Sequence, residues 1–420
     1  MQIRLPTRWF IISVIGILFV TGCATFQPKP MQEVPFQERA QTKYETNVRV
    51  TAAVLSAEES KAAFGVPLYK KGIQPIWFEI ENKRNETLRF LPMSVDRDYH
   101  SPLEVAYVNR SGFSKTAKKE MNQYFWEHRM RILIPPGGVR SGFVFTNLDE
   151  GTKHFNVDLI GREEELAINL TFFIPVPGLK VDHHEVDLEG LYPKDEVVSF
   201  DEEGFRKAFE NLPCCTTNKD GSEKGDPLNL VVVGDIEDVY YTFIRAGWDE
   251  TETIYAGSAL KTGFSAVFGG RYRYSPISAL YVFGRGQDVA FQKARGSIHE
   301  RNHLRLWLAP MSYEGKAVWI GQISRDIGVR FTKKTITTHK IDADVDETRF
   351  NLIQDLWYSQ GLAKFAYVKG VGAASIDQPR GNLTGDPYFT DGYRAVLWVS
   401  GKHMDQDKKI FLDWEIPPEQ

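Results

Sequence analysis

Cysteine is scarce in this chain, with three in 420 residues. So few exclude a disulfide-framed fold, and no CxxC pair or other Cys/His spacing suggests a zinc site. An excess of charge of one sign is lacking too. The 51 Lys and Arg stand against 55 Asp and Glu, a formal net of −4. A near-balanced, slightly acidic chain is not a general nucleic-acid binder, and no nucleic-acid partner is expected. Long apolar runs are the third absence. Nothing after Val20 approaches the roughly eighteen consecutive apolar residues of a membrane-spanning helix. What remains is an ordinary globular composition, 42% hydrophobic and 25% charged, long enough for more than one domain.

The one apolar run, Phe10 to Val20, follows Arg4 and Arg8 and leads into Val20-Thr21-Gly22-Cys23. As a helix it rises about 16 Å, roughly half a bilayer core, so it reads as a secretory signal and not as a span. Val-Thr-Gly-Cys resembles the lipobox of bacterial lipoproteins; the alternative is a plain signal peptide with an incidental cysteine. The resemblance implies cleavage after residue 22 and a covalent lipid on Cys23 that holds the mature chain at a membrane. Ala24 resembles the class sorted to the outer membrane. The expected place is therefore the cell envelope, on the outer membrane facing the periplasm. No other cofactor is expected. In that oxidising compartment the adjacent Cys214 and Cys215 can form a vicinal disulfide, although neighbouring Cα atoms, about 3.8 Å apart, are closer than disulfides prefer. A pair of buried thiols and a redox or metal role stay open beside it.

Composition and periodicity divide the chain. Residues 1–22 are the signal, and 23–45, polar with prolines at 28, 30 and 35, read as a lipidated tether. Residues 46–182 alternate with period two: Val48, Val50, Ala52 and Val54 share a face, as do Ile76, Phe78 and Ile80, and Phe155, Val157 and Leu159. That pattern predicts an immunoglobulin-like β-sandwich, interrupted by a helix over Ser114–His128. Residues 183–225 read as a linker with a short helix, Asp201–Leu212, and the Cys-Cys loop. From Asp226 to about 405 the chain predicts an α+β domain with a mostly antiparallel sheet, and 406–420 form a tail. Helices are expected over Ile236–Ala246 and Asp346–Ser359, with strands that include Leu228–Val233, His303–Leu308, Ala317–Ile323 and Arg394–Ser400.

Two short stretches have the residue types of metal chemistry. His299-Glu300-Arg301-Asn302-His303 matches HExxH. That motif needs a helix to stack its histidines, whereas His303-Leu-Arg-Leu-Trp-Leu alternates as a strand. Asp342, Asp344 and Asp346, at every second residue, can converge on a hard cation, but the stretch lacks the glycine and terminal glutamate of an EF-hand. The competing reading is a helix entry, with the acids capping and facing the positive helix end. Charge is also uneven. Residues 285–340 hold eleven Lys/Arg and four Asp/Glu, whereas 341–360 hold one arginine and five acids. Arg285, Lys293, Arg301 and Arg305 are the candidates for holding an anion, against a solvated face paired with carboxylates.

Several strings then resemble the LssY C-terminal domain over about 226–400. They are Asp226-Pro-Leu-Asn-Leu-Val-Val-Val-Gly234, Leu280-Tyr-Val-Phe-Gly-Arg-Gly-Gln-Asp-Val-Ala-Phe-Gln-Lys293, Arg301-Asn-His-Leu-Arg-Leu-Trp307, His339-Lys-Ile-Asp-Ala-Asp-Val-Asp346 and Leu383-Thr-Gly-Asp386 with Asp391-Gly392. The resemblance implies a domain type without an activity. Some LssY-type proteins also carry a membrane phosphatase domain, but its motif is not met here: thirteen residues separate Arg325 from His339, and no PSGH precedes them. Two functions follow as expectations. The first is a non-catalytic envelope lipoprotein that binds a partner protein or an anionic small molecule or lipid. The second is a metal-dependent hydrolase of a phosphorylated or lipid substrate, with His303, His339 and Arg325 as catalytic candidates and Asp342, Asp344 and Asp346 on the metal.

Overall fold

The computed structural model describes residues 25–149, 151–162, 167–178, 187–188, 190–251, 277–294, 301–330 and 338–418. The signal segment, Cys23, the His299-Glu300 half of HExxH, Lys333-Lys334 and the side chain of His339 lie outside the described residues. Contacts divide the chain into two units, 1–148 with 159–167 and 149–158 with 168–420. The division falls well before the boundary at 182 that alternation alone predicts. The reason is that residues in 149–158 and after 168 bond onward: Thr152 N–H donates to Glu250 at 2.6 Å, and Phe173 stacks on Tyr241 with ring centroids 4.1 Å apart.

The first unit holds an antiparallel sheet in the order Gln41–Glu45, Val48–Val54, Ile73–Asn82, Val139–Asn147. Val48, Val50, Ala52 and Val54 are buried together, as period two predicts. On the opposite face Ala53, Trp77, Phe143 and Phe145 pack against the helices Ala57–Phe64, Pro102–Asn109 and Lys115–Glu127. Only the last of these is expected from spacing, with the Ser114 hydroxyl accepting from Ala117 N–H. The other two are too short to display a helical stripe. Their sequence signal is the capping box Ser-x-x-Glu, formed by Ser56 with Glu59 and by Ser101 with Glu104. The tether expected over 23–45 is corrected: Val34 and Phe36 enter the core, Arg39 pairs with Glu59, and Gln41–Glu45 joins the sheet. Two apolar side chains in a polar stretch anchor what proline content made look extended.

The second unit is built on one large sheet. Its strand order is Asp249–Glu250, Val289–Ala294, Arg301–Tyr313, Lys316–Arg330, Leu230–Val233, Tyr393–Val399, Leu362–Lys369, Ile410–Phe411. Thr338–Ile341 pairs beside Lys316–Arg330, and Val198–Phe200 beside Arg301–Tyr313. Most pairs are antiparallel, and Leu230–Val233 runs parallel to Tyr393–Val399. With its helices this makes an α+β chain. One face of the sheet sets Leu230, Val232, Leu304, Leu306 and Trp319 against Val239 and Phe243 of the helix Ile236–Arg245 and Leu352, Ile353 and Leu356 of the helix Val345–Tyr358. The other face, with Val231, Trp307, Ile320 and Val396, takes Phe205 and Phe209 of the helix Glu202–Glu210. The stretch read as a linker therefore supplies core. The tail does so too, since Ile410–Phe411 pairs with Lys364-Phe365 and Trp414 meets Trp398 at 5.4 Å. No helix among the described residues is long and apolar enough to cross a membrane.

Arg394 joins these layers. It is fully buried at the start of the Tyr393–Val399 strand, and among the described residues no carboxylate pairs with its guanidinium. Nε donates to Leu228 O at 2.8 Å, Nη1 to Phe209 O, and Nη2 to Leu212, Pro213 and Gly370 O at 3.2, 2.7 and 3.2 Å. Phe209 and Leu212 present carbonyls at the end of the helix Glu202–Glu210, where the helix dipole favours a cation. Burial pulls the Arg394 pKa down to about 10, which still leaves it charged at neutral pH. Gly370 makes the space, because a Cβ there would stand 2.5 Å from Nη1. Arg394→Met should lower unfolding stability by about 3 kcal/mol or more, since five carbonyls lose their donor. Urea denaturation measures it; a loss below about 1 kcal/mol would mean that water replaces the guanidinium.

Candidate functional site

The Trp307–Ile320–Val231 face of the large sheet does not stay apolar to its end. Along Arg301–Tyr313 the side chains of 301, 303, 305, 307 and 309 point one way, and the first three are Arg301, His303 and Arg305. Across the antiparallel ladder Arg305 faces Gln322 and His303 faces Ser324, with Asp326 two residues further on the same face. A cleft of about 240 Å³ opens over this polar end, closed by Asp226, Ile277, Ser278, Leu280, Asn382 and Leu383.

The groups in it are buried. Asp326 is 2% exposed and Arg301 3%. His303 Nε2 lies 3.2 Å from Asp326 Oδ2, and Arg301 Nε 3.7 Å from the same oxygen. Arg301 Nη1 also donates to Gln292 Oε1 at 2.5 Å. Arg305 donates to Gln322 Oε1 at 2.7 Å and to Ser278 O at 3.1 and 3.0 Å, which fixes its fork in the wall. Asn382 donates to Asp226 Oδ1 at 3.1 Å while its own carbonyl accepts from the N–H groups of Thr384 and Asp386. The Leu383-Thr-Gly-Asp386 turn thereby aims Asn382 at the cleft.

Electrostatics follow from burial. Desolvation pushes Asp326 up to about 7, against the pull of Arg301 and Arg305 and with a further push from Asp226. Asp226 is raised in the same way, chiefly by burial, with Arg305 opposing. Arg301 falls to about 10 through desolvation and the repulsion of Arg305, and keeps its charge at pH 7. Two fixed guanidinium groups can hold an anionic group, and Asp326, beside His303, can take up or release a proton near neutral pH.

Sequence candidates divide accordingly. Arg301, Arg305 and His303 come together. Arg285 is instead engaged by Asp288 at 2.9 and 2.8 Å and by Tyr192, and Lys293 by Asp355 at 2.8 Å. Arg325 lies on the opposite strand face, donating to Asn302 at 3.1 Å. The aspartate comb forms a helix entry. Asp342 accepts from Asp344 N–H, Asp344 caps Val345–Tyr358 through Asp346 and Glu347 N–H, and Asp346 accepts from Thr390 and Asp391 beside Arg349. No group of three or more His, Cys, Asp or Glu placed to hold a metal ion occurs among the described residues. Cys214 and Cys215 form a disulfide beside Asp226, on the strand that pairs with Lys224–Pro227. Asp226, which opens one of the strings, and Ser324, Asp326 and Asn382 are site residues that no motif singled out. A legible signal was charge at every second position of a strand whose remaining residues are apolar.

Residues 208–393 match a family model described as the LssY C-terminus. No curated protein matches the chain.

The titration has a measurable consequence. An acid whose folded pKa lies above its unfolded value binds more protons when folded, so its stabilisation is complete at low pH and fades as pH rises. For Asp326 the window runs from about 4 to about 7. Asp326→Asn should flatten the stability profile across this window and exceed the parent at pH 8. Urea midpoints at pH 4.5, 6 and 8 test it. A parent that gains stability with pH more steeply than the variant would mean an ionised, well-paired carboxylate instead.

Proposed function

We propose, with residues 208–393 taken as an LssY C-terminal domain, that this chain is a lipid-anchored protein of the bacterial cell envelope. On this reading the domain binds a small polar molecule with an anionic group in the Arg301–Asp326 cleft, and Cys23 carries the lipid that holds it on the outer membrane. The observation that carries the binding reading is the run Arg301, His303, Arg305 on a buried strand face that continues as Trp307 and Ala309. Buried ion pairs seldom outperform apolar packing of the same volume, so stability gives no reason for charge there. A ligand does, because it supplies the counter-charge and leaves the cost to the empty state. The hydrolytic reading loses the three aspartates, which cap and pair within the helix entry. What favours it is the His303–Asp326 contact alone, an acid–base pair of ordinary catalytic geometry.

Thermal unfolding at pH 7 with a series of inorganic phosphate, phosphate monoesters and dicarboxylates tests the binding reading. At least one probe should raise the midpoint, by the equivalent of about 2.7 kcal/mol at a hundred times its dissociation constant. The shift should vanish in Arg301→Gln with Arg305→Gln. Equal shifts in parent and variant would place the anion elsewhere, and turnover of a monoester that His303→Asn abolishes would favour the hydrolase.

A further inference from the structure

The first unit has its own cleft, of about 590 Å³, bounded by residues on either side of the strand Leu133–Ile134. Its walls are apolar, with Pro92, Tyr99, Ile132, Leu133 and Phe143 among them, and Ile132 and Leu133 remain about half exposed at 52% and 50%. Soluble surfaces seldom leave neighbouring aliphatics open beside a cleft without an occupant. Three cations stand at its border, Arg129, Arg131 and Arg140, and no lining residue is acidic. None of the three has a carboxylate partner among the described residues. Arg129 lies over the ring of Trp126 at 3.5 Å, and Trp126 is itself exposed. Arg140 donates to the carbonyl of Val139, another exposed apolar residue. Glu104, on the helix whose first turn borders the cleft, is occupied by Ser101 N–H and His100.

We infer that this face binds an anionic phospholipid of a bilayer surface, with an acyl chain entering the cleft and the head group on Arg129, Arg131 and Arg140. Charge complementarity selects that occupant. The chain carries a net −4, yet the segment from Arg129 to Arg140 holds three arginines and no acid. Exposed tryptophan, aliphatics and arginines whose stems lie along apolar surface form the composition of a membrane-interface patch. The surface stands without the lipid on Cys23, and its test leaves that lipid out.

The mature chain from Ala24, which keeps every described residue, is floated with vesicles of phosphatidylcholine alone and with vesicles containing phosphatidylglycerol. We expect partition onto the anionic vesicles only, and release at high salt. Arg129→Gln, Arg131→Gln and Arg140→Gln together should reduce partition by roughly a hundredfold, at about fivefold per arginine. Leu133→Asp should reduce it as well, while the thermal midpoint of each variant stays with the parent. Absence of partition, or equal partition by the triple variant, overturns the inference. A dimer of the free chain that Leu133→Asp dissociates would assign the cleft to a second copy and overturn it too.

Discussion

Everything in the C-terminal unit hangs on the long antiparallel hairpin of Arg301–Tyr313 and Lys316–Arg330, because it is covered on both faces. A half-exposed strand can turn its polar residues to water; a central one cannot. Residues 304 and 306 meet the helices Ile236–Arg245 and Val345–Tyr358, and residues 307 and 309 meet the layer that includes Glu202–Glu210. Register is thus fixed by two cores at once. A slip by one residue would drive Arg301, His303 and Arg305 into the leucine face and Leu304 and Leu306 into the cleft. The same alternation that packs the sheet therefore orders the site, and no separate device is needed to orient its charges.

Arg394 and the cleft show two solutions to buried charge. Arg394 faces carbonyls alone, so its positive charge is matched by dipoles from a helix end and irregular backbone, and it serves as a fixed joint between layers. In the cleft, guanidinium groups, carboxylates and an imidazole neighbour one another in a space that can admit a small molecule. The Arg301 and Asp326 pKa values move toward neutrality because burial strips water from each charged form by more than the neighbouring opposite charge returns. A joint is satisfied by the protein itself. A set of mutually perturbing groups around a void is the signature of a site.

How much of this was legible in the sequence depends on scale. Strand alternation gave the faces of Val48–Val54 and of the Arg301–Tyr313 strand, and helical spacing of apolar residues gave the helices Lys115–Glu127, Ile236–Arg245 and Val345–Tyr358, although Phe350 of the last is half exposed. The amphipathic short helix expected over Asp201–Leu212 is present as Glu202–Glu210, whereas Ala57–Phe64 and Pro102–Asn109 escaped, although Ser56-x-x-Glu59 and Ser101-x-x-Glu104 announced them. Arg301, His303 and Arg305 were legible as candidates, because they are charged and near one another in the chain. Asp226 and Asn382 were not, since they stand 75 and 81 residues from Arg301 and reach the cleft through hairpin and turn geometry that spacing does not encode. The aspartates at 342, 344 and 346 misled in the opposite direction. A comb of acids looks the same whether it faces a cation or successive helix N–H groups, and only the following helix decides.

On the reading proposed, the two clefts call for different ligands for a physical reason. The cleft over Arg301–Asp326 is small, about 240 Å³, and has buried charged groups along its floor, so it suits a small molecule matched group by group. That beside Leu133 is larger and apolar, with its cations at the border, so it suits a molecule whose charge stays in water while its hydrocarbon does not. A surface of the second kind need not be strong. A lipid on Cys23 would hold it against the leaflet, where the effective concentration of head groups is high, and contacts too weak to recruit a free protein become sufficient to fix the orientation of a tethered one. On that reading anchoring and orientation would be separate tasks: a covalent lipid would set the distance from the membrane, and three arginines with their aliphatic neighbours would set which face of the N-terminal unit meets it.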